Sequence, residues 1–300
     1  MRDMRWRKAE EKLLIAVSAM MAGITSLLLL AIIGKIAFEA FPSLTLYFLT
    51  TPEVDTPGLG QGIANAIVGT VYLSLLSVLL AIPLAIGTAI YLKKYAKDTI
   101  ITRSFRFMID VLSGTPSIVL GIFGLLFLVY YMKVVTGGFS LIAGAIALAI
   151  LILPVIERAS EEAIDAVPGE VEEASYALGA TKWDTIRRIT IPYSLSGIIT
   201  GVILGIGRAA EESAVVILTA GYTQFLPSYE ILPREGMLFG MKIYPFQDLV
   251  ATLPISVYHT FEHSHIVPIA NGFAAAFVLI IIVMLVNMLA KIVIWRGKIG

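Results

Sequence analysis

Ser196-Gly197-Ile198-Ile199-Thr200-Gly201-Val202-Ile203-Leu204-Gly205-Ile206-Gly207-Arg208-Ala209-Ala210-Glu211-Glu212 is the stretch that decides the fold. It carries no charge before Arg208, and beyond Glu212 it runs on as an apolar segment to Ala220. Roughly 20 helical residues, rising about 1.5 Å each, cross the ~30 Å hydrocarbon layer of a bilayer, so 196–220 reads as one membrane helix. Gly197, Gly201 and Gly205 recur at steps of four and form a small-residue face on which another helix packs closely. With Gly197 at zero, Gly201 and Gly205 lie at about 40° and 80°, Arg208 at about 20°, Glu212 at about 60° and Glu211 at about −40°. All three charges therefore belong on or beside the packed or pore-facing arc, because a bare charge at mid-bilayer costs at least about 2.5–3.5 kcal/mol. Arg208 and Glu212 are spaced i, i+4 and can bridge. Such a pair either fixes helix packing or presents a guanidinium to an anion in transit, since planar paired donors suit phosphate or carboxylate oxygens.

The rest of the chain supplies matching segments. Of its 300 residues, 58% are hydrophobic and 15% charged, against about a quarter charged in soluble domains. Six apolar runs stand out, at 13–33, 63–92, 111–132, 139–156, 196–220 and 267–295. They lack the period-two alternation of outer-membrane barrel strands, so the expected fold is an all-α integral membrane protein with six transmembrane helices. The first run follows Arg2, Arg5, Arg7, Lys8 and Lys12 but is too long for a signal-peptide core of about 7–15 residues, and reads as a retained anchor. With the N-terminus inside, 17 Lys and Arg fall on the cytoplasmic side, while Lys35, Lys133, Arg234 and Lys242 fall outside. That asymmetry places both termini in the cytoplasm. There are 22 basic and 22 acidic residues and no cysteine, which points to no nucleic-acid partner and excludes disulfides, thiolate metal sites and cysteine nucleophiles.

The cytoplasmic segment 157–192 holds eight acidic and four basic residues. Pro168 and Gly179 bracket a short helix, Glu170 to Leu178, with Val171, Ala174 and Leu178 as its apolar stripe. Thr181 and Asp184 make a capping box for a second helix, Lys182 to Thr190, which Pro192 closes. The string Glu173-Ala174-Ser175-Tyr176-Ala177-Leu178-Gly179, followed after nine residues by Ile189-Thr190-Ile191-Pro192, resembles the EAA loop of ABC importer permeases (E-A-A-x3-G-x9-I-x-L-P). The resemblance implies that Glu173, Ala174, Gly179, Ile189, Ile191 and Pro192 belong to the element that docks on a separate ATPase. The chain itself has no G-x-x-x-x-G-K-[ST] phosphate loop.

The stretch from Ser196 to Gly205 with Arg208 and Glu212 is similar to the phosphate-specific ABC importer permeases, whose pattern there is S-G-I-x-T-G-x-x-L, then R-x-x-G-E-[ST]. Asn65-Ala66-Ile67-Val68-Gly69-Thr70-Val71-Tyr72 and Gly114-Thr115-Pro116-Ser117-Ile118-Val119-Leu120-Gly121-Ile122-Phe123-Gly124 resemble them too. Ala251-Thr252-Leu253-Pro254 favours the PstA-type subunit over the PstC-type. The resemblance runs from about residue 61 to the C-terminus and implies a type I, MetI-like permease core over 61–295, with 1–60 as tail, first helix and extracytoplasmic connection. It implies a non-catalytic subunit in the cell membrane that forms half of a phosphate path lined by Arg208, Glu211 and Glu212. The implied partners are a PstC-type permease, a PstB-type ATPase dimer, a PstS-type phosphate-binding protein and membrane lipid, without cofactor. Glu211 stands where the family has glycine and bears on substrate identity.

The rivals are a permease for another oxyanion, an ion-driven secondary carrier using the same charges as a proton relay, and a membrane-embedded enzyme or assembly factor, for which the spans lack a polar nucleophile or metal constellation. The carrier reading lacks inverted repeats and leaves 157–192 without a purpose. His259, Glu262, His263 and His265 have spacing compatible with a metal but read as a wet extracytoplasmic loop within 221–266. Tyr222, Phe225, Tyr229, Tyr244 and Phe246 fit an interfacial belt or a docking surface.

Overall fold

The computed structural model describes residues 2–237 and 240–297; Lys298, one of the basic residues counted above, lies outside them. Among the described residues, five helices are long and apolar enough to cross a membrane, or six when a bent pair counts as one. Helix α1 (Arg2–Ala40) leads through the short α2 (Leu46–Thr50) to α3 (Ala64–Ile90). Helix α4 (Ile100–Gly114) meets α5 (Ser117–Gly124), whose π-helical continuation reaches Tyr131, and the single turn α6 (Lys133–Thr136) follows. Next come α7 (Leu141–Asp165), α8 (Gly169–Ala177), and α9 (Lys182–Thr185), which passes through a π-helical stretch into α10 (Ile191–Ala210). The chain ends with α11 (Ala214–Thr219), the hairpin β1 (Ile231–Pro233) and β2 (Met241–Ile243), α12 (Leu253–Glu262) and α13 (Ile269–Gly297).

Helices α3, α7 and α10 form the centre, with α13 against α10 and α1 against α13. Leu73, Leu148, Ile152, Ile156, Val215, Val216 and Ile255 fill one core. A second joins Ala40, Phe48, Ile63, Leu253 and Ala274, so residues 40–63 pack into the body rather than merely connecting to it. The apolar window of α1 is wholly unburied.

Four boundaries differ from expectation. The run 111–132 is not one span: α4 and the helix from Ser117 to Tyr131 meet at 100°. Pro116 lacks an N–H and disfavours the α region for Thr115, which is extended (ψ 128°). Helix α7 continues through 157 to Asp165, so the projecting loop is only 166–181. Pro192 does not close the second loop helix, because Lys182–Ala210 is a single 29-residue helix. The π-helical turn Ile186–Thr190, separated from Pro192 only by Ile191, absorbs the missing N–H of Pro192 and the clash of its ring. Finally, 196–220 is broken at 211–213.

Candidate functional site

The break is built by one carboxylate. Helix α10 ends at Ala210. Glu212, 4% exposed, then accepts the backbone N–H groups of Ala214 (3.0 Å) and Val215 (3.4 Å) through Oε1. It thereby satisfies donors that the start of α11 leaves free. Its Oε2 lies 2.8 Å from Arg208 Nη1, whose side chain remains 41% exposed. The i, i+4 bridge thus forms, but across a helix break, so the wheel angles assigned to Glu211 and Glu212 do not apply. Glu211 is exposed, and among the described residues Arg208 pairs with no other carboxylate. Counted along the helix, Arg208 stands about 24 Å from Pro192, towards the far end of the span. Gly197, Gly201 and Gly205 all face α7, where an added Cβ would come within 2.5 Å of Ala163, 2.6 Å of Ala159 and 2.9 Å of Ile156.

Sequence stretches far apart converge on the segment after the break. A Cβ on Gly69 would sit 1.9 Å from the Ala251 carbonyl oxygen, and the Leu253 N–H donates to Thr70 Oγ at 2.9 Å. Asn65 donates to the Thr223 carbonyl (2.8 Å) and accepts from the Glu53 N–H (3.3 Å). A Cβ on Gly121 would meet the Ala214 carbonyl oxygen at 3.0 Å. The resulting frame holds α11 and 250–253 by backbone-to-backbone approach.

At the opposite end of α10, the 166–181 loop is fastened by polar groups. Gly179 is left-handed (φ +83°), the geometry expected of a helix-ending glycine. Thr181 Oγ accepts the Asp184 N–H at 3.2 Å, as a cap should. Glu172 pairs with Lys94 at 2.7 Å and accepts from Thr190 at 2.6 Å. Burial works against its charged form, but the hydrogen bonds from Lys94 and Thr190 win and hold its carboxyl below the ordinary value. Ser175 and Thr185 share a 2.9 Å hydrogen bond. The Glu172 and Ser175 side of α8 is therefore turned inward. The apolar stripe faces out, with Leu178 89% exposed and Val171, Tyr176 and Trp183 exposed beside it. Glu173, Ala174, Gly179 and Pro192 are also exposed, while Ile189 and Ile191 are half-buried. No feature near Glu172 in sequence signals its role; its partners come from the π-helical stretch Tyr91–Tyr95 that continues α3 and from the π-helical turn Ile186–Thr190.

The histidines lie partly on a helix rather than in a loop. Tyr222, His259 and His263 stack, with ring centroids 4.3 and 5.3 Å apart, beside a cavity of about 150 Å³ that Glu53 also lines. Ligand atoms of His259, Glu262 and His263 fall within 4.8 Å of one another. The two imidazoles are nevertheless parallel within 8°, so their lone pairs run side by side instead of converging, and His263 Nδ1 already faces the His259 carbonyl at 3.0 Å. The Tyr222 hydroxyl donates to buried Glu53; burial first, then that carboxylate, push its pKa up. The Tyr229 hydroxyl bonds that of Tyr72, Tyr244 lies under Lys242, and Phe225 and Phe246 are exposed.

Residues 81–295 match the family described as "Binding-protein-dependent transport system inner membrane component". A Bacillus subtilis protein named "Probable ABC transporter permease protein YqgI" is 36% identical over 217 residues, 72% of each chain. "Phosphate transport system permease protein PstA" of Yersinia pestis is 34% identical over 257 residues, 85% of this chain and 79% of its own. "Phosphate transport system permease protein PstA 1" of Mycobacterium tuberculosis is 35% identical over 77% of this chain and 70% of its own. In fold, the chain resembles a chain of a bacterial alginate ABC transporter (TM-score 0.64, 15% identity, 96% of this chain and 98% of that one). It also resembles one of the MetNI methionine ABC transporter (TM-score 0.60, 16% identity, 78% and 95%).

Proposed function

The chain belongs to the family of binding-protein-dependent transport system inner membrane components, and we propose that it is the PstA-type permease subunit of an ATP-driven phosphate importer. As a multi-pass membrane subunit it would form half of a path completed by a PstC-type permease. A PstS-type protein would deliver phosphate from outside, and a PstB-type ATPase dimer would drive the cycle from the cytoplasm, where the basic-residue asymmetry puts both termini.

The observation that carries this reading is Arg208. Glu212 pins it from a fully committed, buried position, yet close to half of the guanidinium side chain stays open. Such an arrangement holds a fork of donors ready for phosphate oxygens while keeping the empty site near neutral. At the other end, the outward Leu178, Val171 and Trp183 supply an apolar knob on a short, polar-anchored support. Closure of the ATPase subunits would push this knob and rock α10 as a rigid body, since Lys182–Ala210 is one helix. The strongest support for phosphate is the similarity to the PstA proteins.

Arg208→Gln should abolish phosphate uptake in the assembled transporter while complex formation persists, and Arg208→Lys should retain a fraction of it. Assembly failing in both variants would make the pair a packing device instead. Exposed Glu211 favours a second reading, import of another oxyanion. Under the phosphate reading Glu211→Gly leaves phosphate uptake intact; a change in which anion is carried would favour the second.

A further inference from the structure

Basic residues are scarce on the side of this protein assigned to the exterior: Lys35, Lys133, Arg234 and Lys242 are the four in that part of the sequence. Three of them line a single cavity of about 360 Å³. They arrive there from separate elements. Lys133 opens α6, directly after the π-helical end of the α5 segment. Lys242 lies on β2 opposite Leu232, and Arg234 follows β1, its N–H extending the hairpin to the Gly240 carbonyl at 2.8 Å. The segment after the hairpin is tied to the start of α7 by the Leu141 N–H to the Asp248 carbonyl, 2.8 Å, and to α6 by the Gln247 amide to the Val135 carbonyl, 2.7 Å.

The charges do not cancel. Lys242 is buried, lies over the Tyr244 ring at 4.3 Å and is neutralised by Asp248 at 2.9 Å. Among the described residues, neither Lys133 nor Arg234 forms an ion pair. Three cations against one carboxylate leave the cavity at +2. A concave, low-dielectric wall with an uncompensated charge focuses field and concentrates anions. The volume equals that of roughly a dozen waters, ample for one hydrated tetrahedral oxyanion.

We propose that this cavity is a second anion site, separate from Arg208, that takes the phosphate group through Lys133 and Arg234 with Lys242 as a fixed background charge. The phosphate can be free inorganic phosphate or the headgroup of an anionic lipid. Its role as an antechamber for cargo rests on the importer reading above; its capacity to bind phosphate does not.

The test is ³¹P NMR line broadening of inorganic phosphate by the purified membrane complex, this chain with its partner permease and ATPase but without the phosphate-binding protein, in phosphate-free maltoside micelles at low salt. Wild type should broaden the signal saturably, and K133Q/R234Q should weaken that binding about tenfold or more. The difference should shrink as added salt screens these exposed charges. Arg208→Gln removes phosphate bound at Arg208 itself and should leave a saturable component that K133Q/R234Q in the same background abolishes; if that complex fails to assemble, Arg208→Lys serves instead. No saturable binding in wild type, wild-type binding in K133Q/R234Q, or loss of all binding in an assembled Arg208 variant would overturn the proposal. Displacement by phosphatidylglycerol but not phosphatidylcholine identifies lipid as the occupant, and absence of displacement identifies free phosphate; both support the site. Intact binding in a complex that takes up no phosphate would remove the cargo reading and leave this site standing.

Discussion

At the scale of single residues, the structure turns on side chains that are either absent or fully used. Gly69→Ala would put a methyl 1.9 Å from the Ala251 carbonyl and 2.6 Å from Val250. Backbone cannot yield as a side-chain end can, so a loss of about 1–3 kcal/mol or more is expected, read as a lower thermal midpoint in detergent. Gly87, with nothing within 4 Å of an added Cβ, is the contrast: Gly87→Ala should be neutral or stabilise by about 0.5–1 kcal/mol. Glu212→Ala strips acceptors from two N–H groups and the partner from Arg208. It should cost about 1–3 kcal/mol, with Glu212→Gln retaining more than Glu212→Ala. Glycine spacing made the α10 packing face legible in the sequence. Gly69 was legible only as part of a familiar string, because its partner lies some 180 positions away.

At the scale of elements, long apolar runs gave reliable helices and unreliable ends. Hydrophobicity does not register where backbone donors are satisfied. A carboxylate that caps a new helix (Glu212) and a proline that turns the chain (Pro116) lie inside apolar runs, and a proline tolerated by a wider turn (Pro192) lies just before one. The 166–181 loop shows the same limit: its stripe was visible, but its direction was decided by Lys94 and Thr190 taking Glu172 inward. Glu172→Gln should therefore reduce ATP-coupled uptake several-fold without changing membrane insertion. Because its carboxyl is held below the ordinary value, Glu172 adds stability that is fully present above about pH 4.3 and lost as pH falls through its folded pKa. Amide exchange in residues 169–178 should accelerate, beyond its intrinsic pH dependence, across that acid range. In Glu172→Gln the loop should already be loose at neutral pH and show no acid step.

At the scale of the whole molecule, a central α3–α7–α10 body carries a peripheral α1, and the division proposed at residue 60 is cut by the second core. Ala40, Phe48 and Glu53 are buried against that body, so removal of residues 2–33 should leave a complex of unchanged thermal stability, whereas removal through residue 60 should not. In the proposed importer this chain is a passive conduit driven from elsewhere. The most direct test of this is phosphate uptake into proteoliposomes holding this chain with its partner permease, ATPase and binding protein, compared with proteoliposomes holding this chain alone. Uptake that needs ATP and every subunit is the predicted result; uptake by the lone chain without nucleotide would contradict it.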